Sequence, residues 1–233
     1  MAPSIVGFRV ILNTPRPAAE LIAPFRDAPT GNICDAMDRL VALDYRIKPL
    51  DPAVRLCGPA LTVRTRPGDN LMVWKALDVA RPGDVLVIAT AGFTATSTFG
   101  ENVVRVAKAK ALAGIVSDGL CRDVSGIRAT GLPVFALGAV PSSPGKDGPG
   151  EIGGAVTCGG VVIHAGDLVV GDEDGVVVVP LGDLAAIGER LEAIAAKEAW
   201  TQADIAAGRL IPAEVDAALA EKGCETVGLA SRA

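Results

Sequence analysis

The sequence predicts a layered α/β fold with a mixed, partly parallel sheet, antiparallel β additions and a C-terminal helical arm. First, 50% of the residues are hydrophobic but only 3% are aromatic, so the core has to be aliphatic. Second, Val- and Ile-rich runs alternate with helical segments over residues 56–136, a rhythm typical of a covered parallel sheet. Third, short Val-rich runs separated by turn residues follow one another over residues 155–179, which predicts antiparallel strands.

An N-terminal helical layer is predicted at residues 15–26 and 30–40, where apolar side chains recur at helical spacing. Strands and helices then alternate, and this order implies parallel strands joined by right-handed crossovers. The predicted strands are residues 56–66, 84–90, 114–118 and 133–136, and the predicted helices are residues 70–79, residues 100–112 and a segment directly after Arg122.

A Gly- and Pro-rich run separates the two halves of the chain. Residues 141–154 hold five Gly and three Pro, which predicts a long mobile loop, and a candidate lid, rather than a helix or a central strand. Beyond it, strands are predicted at residues 155–158, 161–164, 168–170 and 176–179. The acidic run at 171–175 lacks the spaced ligands of a calcium loop, so a hairpin turn explains it better.

The last 50 residues predict a helical arm. An apolar stripe at spacings of three and four residues comprises Leu184, Ile187, Leu191 and Ile194. Glu198 is the next position on this stripe, and a second helix is predicted at residues 213–220 after Pro212. We therefore divide the chain into an α/β domain, residues 1–182, and an arm, residues 183–233, that packs on the core or on a neighbouring subunit.

Charge and composition exclude several classes of protein. The net charge is -5 and no basic cluster occurs, so nucleic acid is a poor partner. No run of about 18 apolar residues occurs, so we expect no membrane span. The five cysteines form no CxxC pair, which argues against a disulfide framework or a zinc knuckle. With no secretion signal in evidence, we expect a cytoplasmic protein.

The strongest local pattern runs from Gly114 to Asp123, a strand followed by a turn and the start of a helix. In an open parallel sheet, ligands sit beyond the carboxyl ends of the strands. Arg122 offers a fixed cation for a carboxylate or enolate, and Asp123 offers an oxygen ligand for Mg²⁺ or Mn²⁺. The alternative is that Asp123 only caps the helix and Arg122 is a surface residue.

A second pattern precedes the helix predicted at residue 100. Gly100 lets an anion approach the free backbone N–H groups of the first turn, where the helix dipole also favours negative charge. The alternative is a capping box formed by Thr98 and Glu101, which would occupy the same N–H groups. His164, the only histidine, is expected to be a packed or edge residue rather than a catalytic base.

Five segments in order resemble the successive motifs of one family. The segments are residues 100–103, 113–123, 131–135, 159–167 and 172–180. The family comprises the 4-hydroxy-4-methyl-2-oxoglutarate/4-carboxy-4-hydroxy-2-oxoadipate aldolases and the related regulator of ribonuclease E activity A. The resemblance covers about residues 30–180, and it implies an α/β fold assembled as homotrimers or homohexamers. It also implies sites near subunit boundaries that use a divalent metal.

The resemblance implies a role for each matching residue. The backbone of the segment Gly100, Glu101, Asn102 and Val103 would hold the pyruvyl carboxylate, and Arg122 would contact the keto oxygen. Asp123 would bind the metal, and Glu101 would order metal-bound water.

A carboxylate from a neighbouring subunit's C-terminal arm is also implied, and Glu198 is our candidate. Cys121 and the pair Asn102-Val103 depart from the more usual apolar residues, which leaves the substrate's C4 substituent open.

The resulting hypothesis is a class II pyruvate aldolase, a carbon-carbon lyase that uses Mg²⁺ or Mn²⁺. It would cleave a small 4-hydroxy-2-oxo acid, such as 4-hydroxy-4-methyl-2-oxoglutarate, to pyruvate and a keto acid, with oxaloacetate decarboxylation as a side activity. The alternative from a different class is a non-catalytic protein-binding regulator of a ribonuclease. A class I aldolase is a third hypothesis, but the seven lysines occupy no evident apolar pocket motif.

Overall fold

A computed structural model describes residues 7–227, which form fourteen strands and seven α-helices. The strands are Arg9–Val10 (β1), Lys48–Pro49 (β2), Leu56–Thr65 (β3), Val85–Ala89 (β4), Ser97–Phe99 (β5), Gly114–Ser117 (β6), Leu120–Cys121 (β7), Val134–Ala136 (β8), Gly138–Ala139 (β9), Gly150–Ile152 (β10), Val156–Cys158 (β11), Val161–Ile163 (β12), Leu168–Asp172 (β13) and Gly175–Val179 (β14). The helices are Ala19–Ile22 (α1), Thr30–Ala36 (α2), Leu71–Val79 (α3), Glu101–Ala109 (α4), Val124–Thr130 (α5), Leu184–Ala206 (α6) and Ala213–Glu221 (α7).

The main sheet confirms the predicted α/β class. Its strand order is β1-β10-β3-β4-β6-β8-β2, and the four strands from β3 to β8 run parallel. The register places Val87 of β4 beside Thr62 of β3 on one side and beside Val116 of β6 on the other. Because these strands are parallel, their carboxyl ends lie at one edge, where the connections to the helices begin.

Each parallel strand buries both faces. On β4, Leu86 and Ile88 pack in the cluster shared with helices α3 to α5, whereas Val85 and Val87 pack in a second cluster. Side chains alternate along a strand, so a continuous run of apolar residues can supply both layers. The second cluster includes residues of β11 to β14, which places the antiparallel strands on the sheet face opposite the helices.

The antiparallel additions follow the prediction for the second half. Strand β13 pairs with both β3 and β14, and β11 pairs with β12 in a separate hairpin. Asp172 pairs with Gly175, so Glu173 and Asp174 form a two-residue hairpin turn. The acidic run at 171–175 is therefore a turn, as predicted.

The prediction of a mobile loop over residues 141–154 is wrong at its C-terminal end. Residues 150–152 form β10, a buried strand paired between β1 and β3. A Cβ on Gly150 would lie 2.4 Å from the carbonyl oxygen of Arg64, so glycine is needed for close backbone approach. The earlier part is anchored too, because the Gly145 N–H donates to the Gly68 carbonyl at 2.8 Å.

The N-terminal helices are shorter than predicted. Helix α1 is followed by a 3₁₀ turn at Ala23–Phe25 in place of a continuous helix over residues 15–26. Helix α2 ends at Ala36 because Asp38 and Arg39 adopt left-handed backbone angles, with φ of 55° and 67°. Residues with a left-handed backbone cannot continue a right-handed α-helix, so α2 does not extend to residue 40.

The chain divides into two compact units, residues up to 191 and residues from 192 onward. In the first unit, the start of α6 buries Leu184, Ile187 and Leu191. The predicted domain boundary after residue 182 stays a prediction. No helix within residues 7–227 is both long and apolar enough to cross a membrane.

Candidate active site

A small parallel sheet brings the two predicted motifs together. Strand β5 leads into α4, strand β7 leads into α5, and Phe99 of β5 pairs with Cys121 of β7. The Arg122 N–H continues this pairing by donating to the Phe99 carbonyl at 3.1 Å. Gly100 and Asp123 therefore lie side by side although 23 positions separate them in the sequence.

Gly100 packs closely against the side chains of the second motif. A Cβ at this position would lie 2.6 Å from Asp123 Oδ2 and 2.9 Å from Arg122 Cγ. Real Cβ atoms essentially never come within 3.0 Å of another heavy atom. The backbone of Gly100 is extended, so the absent side chain, not a special backbone angle, is what the site uses.

Asp123 occupies the cap position of α5 with an unusual backbone. Its φ of 62° and ψ of 42° are left-handed, a region that costs a residue other than glycine about 1–2 kcal/mol. The side chain makes no capping hydrogen bond to α5. Instead, Asp123 Oδ2 accepts a long hydrogen bond of 3.4 Å from the Glu101 N–H and lies 3.3 Å from Arg122 Nε.

This arrangement argues against the interpretation of Asp123 as a side-chain cap of α5. A residue that served only as a cap would direct its carboxylate at the first N–H groups of its own helix. Asp123 directs its carboxylate to the start of the neighbouring helix α4. Strained backbone of this kind is concentrated at functional sites, because the surrounding structure has to hold it in place.

The capping box considered for α4 is absent. Gly100 occupies the cap position and no side chain caps the helix. Within residues 7–227, the buried Thr98 hydroxyl has no hydrogen-bond partner. The Glu101 carboxylate instead accepts a hydrogen bond of 2.6 Å from Arg105 Nε, one turn along the helix. The positive end of the α4 dipole therefore faces the Asp123 carboxylate and the space beside it.

A cavity of about 270 Å³ lies beside these groups. Its lining includes five of the predicted site residues, Gly100, Asn102, Val103, Arg122 and Asp123. The side chains of Arg122 and Asp123 are 37% and 46% exposed, so both are open to a ligand from solvent. Arg122 Nη1 also donates a hydrogen bond to the Ser143 hydroxyl, which orients the guanidinium beside the cavity.

Two predicted residues are placed differently. The Glu101 carboxylate is not part of the cavity lining and packs over Gly126, where a Cβ would lie 2.0 Å from Glu101 Oε2. Glu198 belongs to the second compact unit, and its side chain is exposed. Along α6 the buried stripe ends at Leu191, and Ile194 is half-buried.

Sequence reasoning missed part of the cavity lining. The additional lining residues are Asn70, Trp74, Phe99, Ser143, Pro144 and Lys146. Asn70 and Trp74 are four residues apart at the start of α3, a spacing that places two side chains on one helix face. This spacing is the sequence signal that could have indicated that Asn70 and Trp74 face the same site. No sequence signal pointed to Lys146, because the Gly- and Pro-rich segment that contains it predicts a loop without indicating where that loop packs.

A larger cavity of about 690 Å³ lies elsewhere, and one of its lining residues is Asp118. The Asp118 carboxylate accepts hydrogen bonds from Thr90 N at 2.6 Å and Gly92 N at 3.2 Å. Burial raises the pKa of Asp118. This carboxylate joins the turns that follow β4 and β6, which is a structural task. The larger cavity is also lined by Asp44, Arg46 and Arg64, but the smaller cavity is the one at which Arg122, Asp123 and the start of α4 meet.

Among the described residues, no cysteine and no histidine lines the candidate cavity. Burial raises the pKa of Cys121 to about 11, so its thiol stays protonated at neutral pH. His164 follows the end of β12 with a 67% exposed side chain, and its Nδ1 lies 3.6 Å from Asp167 Oδ2. It is an exposed residue at a strand edge, and it is not among the residues that line the cavity.

Comparison with known proteins identifies the family. The family model described as "RraA-like: Aldolase/RraA" matches residues 30–178. The chain belongs to the Aldolase/RraA family.

Three relatives in this family illustrate the similarity. A Halalkalibacterium halodurans protein, named "Putative 4-hydroxy-4-methyl-2-oxoglutarate aldolase", is 44% identical over 163 residues, 70% of this chain and 78% of the relative. A Thermus thermophilus 4-hydroxy-4-methyl-2-oxoglutarate aldolase is 31% identical over 154 residues, 66% of this chain and 93% of the relative. Streptomyces coelicolor RraAS2, described as an unusual member of the RNase ES inhibitor RraA protein family, superposes with a TM-score of 0.74 at 30% identity, covering 80% of this chain and 98% of that chain.

The donor set of this Aldolase/RraA protein suits a hard divalent cation. Within residues 7–227, no group of three or more His, Cys, Asp or Glu side chains is placed to enclose a metal ion. A single exposed carboxylate, Asp123, lies at the cavity. Mg²⁺ is commonly held by one or two carboxylates and keeps several water or substrate ligands, so these residues fit such an ion.

With Asp123 as the metal ligand that we propose below, Gly100→Ala should weaken Mn²⁺ binding about 10- to 100-fold, because the added methyl group displaces the Asp123 carboxylate. Isothermal titration calorimetry with Mn²⁺ would measure the change. Gly31→Ala is a matched control, since no heavy atom lies within 4 Å of the position that its Cβ would occupy. Wild-type Mn²⁺ affinity in the Gly100 variant would mean that the close contact does not position Asp123.

Proposed function

We propose that this protein is a divalent-metal-dependent aldolase. It cleaves a small 4-hydroxy-2-oxo acid, such as 4-hydroxy-4-methyl-2-oxoglutarate, to pyruvate and a second keto acid, and it decarboxylates oxaloacetate as a side activity. The observation that carries the proposal is the convergence of Arg122, Asp123 and the start of α4 on one cavity. The names of the Halalkalibacterium and Thermus relatives support the same reaction class.

The start of α4 is the proposed site for the substrate's C1 carboxylate. Gly100, Asn102 and Val103 line the cavity there, and no side chain caps the helix. Free N–H groups at a helix N-terminus bind anions through hydrogen bonds and the helix dipole. This site fixes the 2-oxo acid so that its keto oxygen lies near Arg122.

Arg122 is the proposed electrophilic group. Cleavage of the C3–C4 bond leaves an electron pair that delocalises onto the keto oxygen of the pyruvate fragment. A guanidinium already oriented by Ser143 and Asp123 stabilises that charge without further reorganisation. Loss of CO₂ from oxaloacetate leaves the same charge on the same oxygen, which is why both reactions are expected.

Asp123 is the proposed holder of Mg²⁺ or Mn²⁺, and such an ion would supply Lewis-acid polarisation of the 2-oxo acid. The left-handed backbone of Asp123 directs its carboxylate toward Gly100, where it would hold the cation. Glu101 is the proposed group that orders nearby water, with its carboxylate held by Arg105.

Removal of the C4 hydroxyl proton requires a base, and Glu198 from a neighbouring subunit is the proposed one. The Glu198 side chain is exposed, so it is accessible to another copy of the chain. Assembly as a homotrimer or homohexamer would bring arm and cavity together. This part of the proposal concerns only the aldol reaction, because oxaloacetate has no C4 hydroxyl group.

A non-catalytic regulator of a ribonuclease is the second candidate, favoured by the likeness to Streptomyces coelicolor RraAS2. A surface that only binds another protein does not require a backbone-strained carboxylate beside a small cavity. The conformation of Asp123 therefore favours the enzyme. A Schiff-base mechanism would need a desolvated lysine. Lys146 lines the cavity but is exposed, which argues against that role.

The proposal is tested by pyruvate release from a panel of 4-hydroxy-2-oxo acids and from oxaloacetate. We expect excess EDTA to abolish both activities and Mg²⁺ or Mn²⁺ to restore them, because Asp123 supplies the only carboxylate among the described lining residues. Borohydride added with substrate should trap no covalent adduct. Turnover that survives rigorous removal of metal would exclude the metal-dependent mechanism.

Separate replacement of Arg122 and Asp123 should separate their tasks. Asp123→Ala should lose Mn²⁺ affinity and turnover together. Arg122→Ala should keep the metal but lose on the order of 3 kcal/mol of transition-state stabilisation, a hundredfold or more in kcat. Calorimetry and steady-state kinetics on the same preparations provide the comparison. Near wild-type kcat in the Arg122 variant would require a different site.

Glu198→Ala should impair aldol cleavage and spare oxaloacetate decarboxylation, with assembly and metal binding intact. Pyruvate assays with both substrates, together with light scattering for oligomer size, measure these outcomes. Mixed oligomers of Asp123→Ala and Glu198→Ala subunits should regain part of the cleavage activity if the two residues meet across an interface. Equal loss of both activities, or of neither, would remove Glu198 from the mechanism.

A further inference from the structure

One side of the candidate cavity carries polar groups that the proposed reaction does not use. This side is formed by the start of α3 and the segment before β10, which contribute Asn70, Trp74 and Lys146. Within residues 7–227, Asn70 Oδ1 and Trp74 Nε1 are both buried and have no hydrogen-bond partner. Asn70 is only 6% exposed.

Buried polar atoms without a partner are rare in folded proteins, because each loses its hydrogen bonds to water and gains nothing in return. Both residues line the cavity, so a ligand or ordered water that enters beside them can complete these hydrogen bonds. The indole N–H of Trp74 can only donate, so it requires an acceptor. The Asn70 amide can accept or donate, since either of its polar atoms can face the ligand.

Lys146 adds a positive charge to the same wall. Its Nζ lies 5.7 Å from the centroid of the Trp74 ring, a cation–π distance that holds the ammonium near the indole. The charged residues that line the cavity are Arg122, Lys146 and Asp123, two cations and one anion. If Asp123 is neutralised by a bound divalent cation, the cavity has positive charge enough for two carboxylates.

We propose that Lys146, Trp74 and Asn70 bind the second carboxylate of a dicarboxylic 4-hydroxy-2-oxo acid and so determine substrate specificity. This inference rests on the proposed function, in which the first carboxylate binds at α4. The second carboxylate accepts a hydrogen bond from Trp74 Nε1 and pairs with the Lys146 ammonium. The Asn70 amide bonds either to this carboxylate or to the C4 hydroxyl.

The shape of the cavity suits such a ligand. Its volume of about 270 Å³ lies just below the range typical of ligand pockets, roughly 300–1,000 Å³. A small keto acid fits this space, whereas a cofactor with a nucleotide does not. The cavity lies between two helix starts, α3 and α4, so its two ends are formed by different elements and can recognise the two ends of one molecule.

The first test compares two substrates in four proteins, all in the presence of Mg²⁺. The substrates are 4-hydroxy-4-methyl-2-oxoglutarate, a dicarboxylate, and 4-hydroxy-2-oxopentanoate, a monocarboxylate. The proteins are wild type, Lys146→Met, Trp74→Phe and the charge-matched control Lys108→Met. Lys108 is exposed on α4 and does not line the cavity. Lys146 is exposed as well, so its replacement should leave the packing intact.

We expect Lys146→Met to lower kcat/KM for the dicarboxylate about 10- to 100-fold more than for the monocarboxylate, which corresponds to the loss of one charge-assisted hydrogen bond. Trp74→Phe should shift the same ratio in the same direction by a smaller factor. Lys108→Met should leave the ratio unchanged. Equal effects of Lys146→Met on both substrates would overturn the inference.

The second test measures binding without turnover. Trp74 and Trp200 are the two tryptophans of the chain, so a Trp200→Phe background makes Trp74 the only indole reporter. We expect 2-oxoglutarate to perturb its fluorescence at lower concentration than pyruvate does, and Lys146→Met to remove that preference. Equal affinities for the two acids in this background would contradict a second carboxylate site.

The two tests separate this inference from the proposed function. If wild type cleaves neither substrate but binds 2-oxoglutarate in a manner that depends on Lys146, the aldolase proposal fails and the carboxylate site is supported. If wild type cleaves both substrates and Lys146→Met changes neither the ratio nor the binding, the aldolase stands and the inference fails. In that case ordered water satisfies Asn70 and Trp74.

Discussion

The parallel pairing of Phe99 with Cys121 is the constraint on which the candidate site depends. This pairing extends by one hydrogen bond, from the Arg122 N–H to the Phe99 carbonyl, and so fixes the starts of α4 and α5 relative to each other. Each strand is only two or three residues long, and both Phe99 and Cys121 are buried. Burial in the core therefore holds a short sheet that would be unstable alone. The contacts of Asp123 with Gly100 and with the Glu101 N–H follow from this register.

Close packing then converts that register into a chemical arrangement. Gly100 leaves room for the Asp123 carboxylate, and the left-handed backbone of Asp123 turns that carboxylate toward α4. Neither feature stabilises the fold by itself, since glycine is flexible in the unfolded chain and the Asp123 backbone is strained. Together, Gly100 and the left-handed backbone of Asp123 allow a carboxylate, a guanidinium and a helix N-terminus to face one small cavity.

The segment from residue 141 to residue 154 shows how the same site acquires a second wall. Its last residues form the buried strand β10, while its earlier residues contribute Ser143 and Lys146 to the cavity. Hydrogen bonds to the segments around Gly68 and Ser97 anchor it against the ends of β3 and β5. An anchored loop can hold Arg122 through Ser143 and present Lys146 beside Trp74, tasks for which a freely mobile lid would be poorly suited.

The sequence by itself determined the α/β class, the parallel orientation of the main strands, the hairpin at residues 171–175 and the two motifs around Gly100 and Arg122. These features could be predicted because they depend on hydrophobic periodicity and on turn residues, which are visible within a short stretch of sequence. The tertiary structure decided that Gly150 belongs to a strand paired on both sides, that Asp123 faces α4 instead of capping α5, and that Trp74 and Lys146 share the cavity. Each of these depends on atoms far apart in the chain coming within a few ångströms, because steric fit and hydrogen-bond partners exist only after the strands have paired.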